Sequence, residues 1–338
     1  MEPILTVDNL KTYFFQSEGT VKAVDGASFE VYPGQTLGLV GESGCGKSIT
    51  ARSILRLVDK PGRIVEGSIQ YYPANGGQAL ELTDLAADGS EMREIRGKDI
   101  ALIFQEPMTS FSAHYSVGNQ IIEAIRIHDP RLSQPAARAR AVDLLRKTGV
   151  PMAEQRLDMY SFQLSGGLRQ RVMIAMALAC TPRILIADEP TTALDVTTQA
   201  QILALLKNLQ RDFGMAIILI THDMGVIAEM ADEVAVMYLG RVVERGPVDQ
   251  IFHAPRHPYT RALLRSIPSI DGEPRTKLPT IRGSIPHPYS RPQGCPFHPR
   301  CLERIAGVCD QHEPALARMA DGQAVACFLH HREEIRQN

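Results

Sequence analysis

The run GESGCGKS at residues 41–48 has the spacing G-x-x-x-x-G-K-[ST]. Its glycines, Gly41, Gly44 and Gly46, let backbone N–H groups turn inward around an anion. A helix opening at Lys47 adds the partial positive charge of its N-terminus. In such a loop Lys47 reaches the β- and γ-phosphates of a nucleoside triphosphate, and the Ser48 hydroxyl holds Mg²⁺. Ser43, Cys45 and Ile49 complete the phosphate-contacting stretch. A glycine-rich turn that matches by chance is the bland alternative. The apolar run before the loop and the helical pattern after it argue against that.

A second stretch, RILIADEPTT at residues 183–192, delivers Asp188 and Glu189 at the end of an apolar run. Asp188 suits a Mg²⁺-side carboxylate, and Glu189 suits a general base or a group that positions water. Taken alone, an Asp-Glu pair after a strand reads more readily as a helix cap. Beside a phosphate loop the catalytic reading takes precedence.

The third chemical cluster is a set of thiols. Of six cysteines, Cys295, Cys301, Cys309 and Cys327 lie near the C-terminus, separated by five, seven and seventeen residues. No C-x₂-C pair occurs among them, so the common zinc-ribbon spacing is absent. Four thiolates can hold a [4Fe–4S] cluster. The alternatives are zinc, with His298 or His312 replacing one cysteine, and a small module of reduced thiols. Cys45 is expected to be a variable loop position whose thiolate is favoured by Lys47 and nearby backbone dipoles. Cys180 reads as ordinary core.

These groups require elements to hold them. Residues 36–40 (TLGLV), 99–104 (DIALIF), 183–187 (RILIA) and 216–220 (AIILI) are short apolar runs bounded by polar or turn residues. They suit strands of a parallel sheet buried on both faces. Helical spacing over 47–58 separates the first two runs, so the class is α/β. Between Gln105 and Cys180 the strand signal vanishes, and 117–128, 134–148 and 166–179 read as helices of an insertion. The arginines of AARARAVDLLRK (136–147) read as a solvated helix face rather than a nucleic-acid patch. Beyond His222 come a helix at 225–230 and two strands, 234–239 and 241–244, with an antiparallel ending. Tyr259, Leu263 and Leu264 fit a packed helix. Residues 268–292 are rich in proline and read as an extended connector.

The chain has 338 residues, 44% hydrophobic and 22% charged, with formal net charge −2. That is a globular composition with no electrostatic case for a nucleic-acid partner. No signal-peptide pattern opens it, and no apolar run is long enough to cross a bilayer, so a cytoplasmic location is expected.

LSGGLRQ at 164–170, with the phosphate loop and the Asp-Glu strand, resembles the ABC (ATP-binding cassette) ATPases. The resemblance runs from Leu5 to about Arg265. It implies further roles for residues that stand in the family's order. Gln105 is the Q-loop glutamine, contacting Mg²⁺ and water. Asp195 belongs to the D-loop, and His222 is the switch histidine. Tyr13 or Phe14 stacks on adenine, with Phe14 preferred. Ser165, Gly166 and Gly167 face the γ-phosphate held by the partner cassette in a head-to-tail dimer. The implied fold is a P-loop α/β core with an antiparallel β subdomain and a helical subdomain at about 106–180. Residues 1–267 form the ATPase domain and 268–338 a C-terminal cysteine-containing extension.

QEPMTS (105–110), LSGGLRQRVMIAMALA (164–179), the segment 246–268 and GCPFHPRC (294–301) are similar to the dipeptide and oligopeptide importer ATPases. That group implies an ATP- and Mg²⁺-dependent ATPase on the cytoplasmic face of the cell membrane. Its implied partners are two membrane permeases, a second ATPase subunit, related or identical, and an extracytoplasmic solute-binding protein. It also implies a [4Fe–4S] cluster in the cysteine tail, which puts that reading ahead of zinc or free thiols. Oligosaccharide and nickel importers of the same family are the alternative cargo classes. A soluble non-transport ATPase or a regulatory scaffold ranks below them. Three departures stand out. FSAH follows MTS at 111–114 where relatives commonly carry Leu-Asn-Pro, Leu168 stands where the signature motif often has Met, and Leu302 replaces a usual proline.

Overall fold

A computed structural model of the chain describes residues 2–74, 76–105, 110–267 and 281–331. Residues 106–109 and most of the expected proline-rich connector, 268–280, lie outside the described residues. The backbone divides into two compact units. One comprises Met1–Glu2, Val31–Thr36 and Asp84–Ile220. The other comprises Pro3–Glu30, Leu37–Thr83 and Thr221–Asn338. Residues 281–331 fall in the same unit as residues 41–48.

The unit containing 84–220 is built on three parallel strands, β6 (Ile100–Ile103), β7 (Ile184–Asp188) and β8 (Ala216–Thr221). Every residue of β7 and β8 is buried, as continuous apolar runs in a parallel sheet should be. Asp188 pairs with Ile220, so the acidic residue stands at the strand's C-terminal end. α2 (Ser90–Ile95) precedes β6. The helical insertion supplies α3 (Val117–His128), α4 (Gln134–Lys147), α5 (Ala153–Leu157) and α6 (Gly166–Ala177). Ser116 and Ser133 cap α3 and α4 by accepting from the N–H groups of Asn119 and Ala136. α4 buries Ala137, Ala141, Val142, Leu144 and Leu145. Arg138 on its outer face pairs in two bonds with Asp158, at 2.8 and 2.7 Å, which matches the expected solvated face. α7 (Val196–Phe213) completes this unit.

The other unit holds two sheets. One is antiparallel, ordered β2-β1-β4-β5, from β1 (Leu5–Gln16), β2 (Gly19–Val31), β4 (Gly62–Tyr71) and β5 (Leu80–Glu81). Its strands mix exposed, half-buried and buried positions, so they lack the continuous apolar signature that marks the parallel strands in the sequence. In the second sheet β3 (Thr36–Val40) pairs in parallel with β9 (Glu233–Tyr238). β9 then runs antiparallel to β10 (Arg241–Pro247), as the sequence suggests, although β10 extends three residues further. β12 (Ala324–Val325) adds to the edge of β10 and β11 (Ala317–Arg318) to β12, so the C-terminal segment is an integral part of the sheet.

α1 (Lys47–Ile54) follows the phosphate loop and stops four residues before the expected end. Arg56 takes a left-handed conformation (φ 55°). The Leu57 N–H then donates to Arg52 O at 2.7 Å and the Arg56 N–H to Ser53 O at 3.0 Å, closing the helix end. The remaining helices are α8 (Met224–Met230), α9 (Val248–His253) and α10 (Pro258–Arg265). Among the described residues no helix is long and apolar enough to cross a membrane.

Two buried polar residues lock the tail onto this unit. Glu244 is fully buried and accepts from Arg256 N–H, His257 N–H and Gln323 Nε2 at 2.6, 3.0 and 2.7 Å. His257 caps α10: its Nδ1 accepts the Tyr259 N–H at 3.0 Å. Burial holds the His257 ring neutral, lowering its pKa from 6.5 to about 3. The unfolded chain therefore takes up a proton below about pH 6.5 that the folded chain refuses. Folding stability should then be complete above that pH and fall as pH drops toward 3. From about pH 6.5 to about pH 5 this one ring costs about 2 kcal/mol. Replacing it by His257→Asn, which can still cap, should remove that share of the acid sensitivity. Denaturant unfolding of both proteins at the two pH values measures it; identical pH slopes would refute the assignment.

Candidate functional site

The phosphate loop leaves the end of β3 and enters α1. At two of its glycines the neighbouring backbone leaves no room for a side chain. A Cβ on Gly46 would stand 2.3 Å from Ala23 O, and Gly46 also adopts φ 103°. A Cβ on Gly41 would stand 2.2 Å from Met237 O. The loop is thus pressed between β2 and the β9–β10 turn, and the Gly240 N–H donates to Cys45 O at 2.8 Å. Ser43 and Gly44 are exposed at its apex, and Ser48 and Ile49 are half-buried behind it. Lys47 is 6% exposed and folds back on the loop. Its ammonium donates to Gly41 O at 2.8 Å and Glu42 O at 3.1 Å. The cation is thereby held against the backbone that would surround a phosphate.

Cys45 departs from expectation. It is 3% exposed, and burial raises its thiol pKa against the opposing pull of Lys47. Desolvation, with Glu42 beside it, outweighs the pull of Lys47, so the neutral, shielded thiol is favoured over a reactive thiolate.

His222 belongs to the same unit. It is exposed just after β8 and before Asp223, which caps α8 by accepting from Gly225 N–H at 2.8 Å. Both aromatic candidates for adenine lie near the end of β1. The Tyr13 hydroxyl donates to Asp25, and Lys22 sits 5.3 Å over its ring. Phe14 packs its ring over Gly62, where an added Cβ would meet it at 2.6 Å.

The carboxylate half lies in the other unit. Asp188 is buried at the end of β7, and Glu189 follows with a left-handed backbone, φ 48°. Its N–H is fixed to Ile220 O at 2.8 Å. A non-glycine residue in this region costs about 1–3 kcal/mol, and such strain concentrates at functional positions. The turn aims the Glu189 side chain at Gln105, whose Nε2 donates to Oε2 at 2.9 Å. The Thr192 hydroxyl donates to the same oxygen at 2.8 Å. Sequence reasoning identifies Gln105 and Glu189 and misses Thr192, although it stands three residues along in the quoted motif. Gln170 braces the turn by donating to Pro190 O at 2.6 Å.

Ser165 is the N-cap residue of α6 but makes no capping bond with its side chain. Ser165 and Gly166 are exposed; Gly167 is half-buried, with Thr198 2.9 Å from where its Cβ would stand. Asp195 caps α7, accepting from the Thr198 N–H at 2.9 Å and the Thr198 hydroxyl at 2.7 Å. Those bonds lower its pKa.

The four tail cysteines share one neighbourhood. Burial pushes the Cys295 thiol up to about 12 and Cys327 to about 11, and raises Cys301; the nearby cysteines add to each shift. All six cysteines of the chain are free. Backbone bonds fix the module: Cys295 N–H donates to Cys309 O at 2.8 Å, and Ile305 N–H to Cys309 Sγ at 3.3 Å. Among the described residues, however, no three His, Cys, Asp or Glu side chains come close enough to hold a metal ion. The His298 Nδ1 lies 3.0 Å from Cys295 O, which occupies one ring nitrogen of the zinc alternative.

Comparison with known proteins agrees with the motif order. The family described as "ABC transporter" matches residues 24–192, and "Oligopeptide/dipeptide transporter, C-terminal region" matches 243–309. The chain is 48% identical over 340 residues to the oligopeptide transport ATP-binding protein AppD of Bacillus subtilis (strain 168), covering 100% of both chains. It is 46% identical to the dipeptide transport ATP-binding protein DppD of Escherichia coli (strain K12), covering 96% of each. Among solved structures, the cassette MJ0796 in a dimeric post-hydrolysis state bound to ADP and Pi matches with TM-score 0.63 at 27% identity, over 72% of this chain and 98% of that one. The cbiO1 cassette of Clostridium perfringens matches with TM-score 0.60 at 27% identity, over 75% and 92%. With its phosphate loop, signature helix and Asp-Glu turn each standing at the end of the element that should carry it, the chain belongs to the ABC transporter ATPase family, in the group that shares the oligopeptide/dipeptide transporter C-terminal region.

Proposed function

We propose that this chain is the ATP-hydrolysing subunit of a peptide importer, working in a head-to-tail cassette dimer on the cytoplasmic face of the membrane. The observation that carries the reading is the Glu189 turn, a strained carboxylate held by Gln105 and Thr192 directly after Asp188. The full-length similarity to oligopeptide and dipeptide transport ATP-binding proteins supports peptides as cargo. The implied partners are two permeases, a second cassette and an extracytoplasmic solute-binding protein.

In this reading the backbone N–H groups of residues 43–48 and Lys47 bind the β- and γ-phosphates, and Tyr13 or Phe14 stacks on adenine. Ser48, Asp188 and Gln105 would hold Mg²⁺, which neutralises charge on the phosphates. Glu189 accepts a proton from the attacking water, and His222 contacts the γ-phosphate. Ser165, Gly166 and Gly167 at the start of α6 would donate to the partner's γ-phosphate through backbone N–H groups and the Ser165 hydroxyl, and Asp195 lies toward the partner's site. Closing the pair thus depends on a phosphate that hydrolysis removes. The equilibrium then moves toward the open pair by the binding free energy that this phosphate had supplied.

The tail thiols are proposed as the ligands of a [4Fe–4S] cluster with a structural role. The support is that all four cysteines are buried or half-buried and that a backbone bond from Cys295 N–H to Cys309 O ties two of their segments together. Closing the ligand set would require the sulfurs to move together.

Two outcomes are expected. Glu189→Gln, assayed in the assembled transporter, should retain ATP binding while turnover falls about 10²-fold or more; parental turnover would remove Glu189 as the base. Full-length protein purified without oxygen should be brown and carry about four irons per chain. Zinc in place of iron, or no metal, would refute the cluster.

A further inference from the structure

The phosphate loop is gripped from outside by the C-terminal module. Glu42, the second residue of the loop, has all three of its polar groups engaged. Its N–H donates to the Tyr259 hydroxyl at 2.9 Å. Its carbonyl accepts from the Lys47 ammonium at 3.1 Å. Its carboxylate receives both arms of the Arg300 guanidinium, Nη1 to Oε2 at 2.7 Å and Nη2 to Oε1 at 3.0 Å. Arg300 and Glu42 are 258 positions apart in the chain.

Arg300 is not a loose surface cation. Its side chain is 4% exposed, against 22% for Glu42. Its Nε donates to Arg282 O at 3.1 Å, and the guanidinium lies 5.8 Å from the centre of the Tyr238 ring. Three residues earlier, Phe297 is wedged among aromatic rings. It meets Tyr238 edge-on at 5.3 Å, Tyr259 at 5.3 Å and His257 at 5.8 Å. Tyr238 ends β9 beside the loop, and Tyr259 is the residue that accepts the Glu42 N–H. A bidentate Arg–carboxylate pair fixes direction as well as charge, and an arginine already locked by packing gives up little further entropy in forming it.

We propose that Arg300 is a positioning residue of the ATP site. Through Glu42 it fixes the loop backbone from which Lys47 is oriented, so the C-terminal module helps to set the affinity for ATP. When a triphosphate binds, Lys47 must exchange the carbonyls of Gly41 and Glu42 for phosphate oxygens. A loop pinned at Glu42 keeps its N–H groups aimed inward during that exchange. A loop released there must be ordered by the nucleotide itself, at a cost in affinity. The proposal rests on the reading of residues 41–48 as the ATP phosphate loop.

The test is MgATP binding to the full-length chain by calorimetry, with thermal melts to report folding. Arg300→Ala should raise Kd about tenfold, and Arg300→Lys, which keeps the charge but not the fork, should recover part of the loss. Glu42→Ala should weaken binding similarly. The double variant should be no weaker than Glu42→Ala alone, because the two side chains act as one unit. An unchanged Kd for Arg300→Ala overturns the proposal. So does a loss from Arg300→Ala that persists undiminished when Glu42 is already alanine. If Arg300→Ala does not fold, Glu42→Gln decides: it keeps the size of the side chain but loses the charge, and a parental Kd overturns the proposal. Parent protein that fails to bind MgATP, or Lys47→Ala that binds as the parent does, would instead sink the assignment of the loop.

Discussion

A loop that binds phosphate through backbone N–H groups must be rigid before the phosphate arrives. Most of what surrounds residues 41–48 answers to that constraint. Polar backbone turned inward has no secondary-structure partner of its own, so the surrounding structure has to hold it. Ala23 and Met237 press so closely on Gly46 and Gly41 that no side chain fits there. Gly240 N–H takes the Cys45 carbonyl, and Lys47 takes two more. Tyr259 and Arg300 occupy the remaining groups of Glu42. The loop is braced by strands, a turn, a helix and the C-terminal module at once.

The carboxylate half solves a different problem. A carboxylate that is to take part in chemistry has to be held on a rigid support. The strand β7 supplies the rigidity, with Ile184 to Ala187 fully buried. The left-handed turn at Glu189 then redirects the chain, and Gln105 and Thr192 both bond to one carboxylate oxygen, Oε2. The strain is sustained because Glu189 N–H and Pro190 O are each tied to a neighbouring element.

The C-terminal module carries more than its thiols. It extends the β9–β10 sheet through β12, surrounds the carboxylate of Glu244 through Gln323, and places Arg291 2.7 Å from Asp25 on β2. Asp25 in turn accepts from Tyr13, one of the two adenine candidates. Burial favours the protonated form of Asp25, but the Tyr13 hydrogen bond and the charge of Arg291 outweigh it and lower its pKa. Residues far along the chain thus brace both the phosphate loop and the strand that carries the aromatic pair.

The sequence alone determined the chemistry-bearing motifs and the elements that present them. GESGCGKS, LSGG and the Asp-Glu pair have local spacings that can work only at the junction of a strand or loop with a helix, so they report both the residue and its setting. The buried parallel strands were legible for a similar reason: a strand covered on both faces is apolar throughout. β1, β2 and β4 were not legible in this way, because half-buried strands carry mixed residues. The tertiary structure alone decided how these parts are held. Thr192 became visible as a partner of Glu189 only once the turn had folded. Cys45 looked activated beside Lys47 but is desolvated by packing that no local pattern encodes. Glu42 and Arg300 are ordinary charged residues in sequence. Their pairing depends on a chain reversal spanning 258 positions, and interactions between residues so distant leave no periodicity to read.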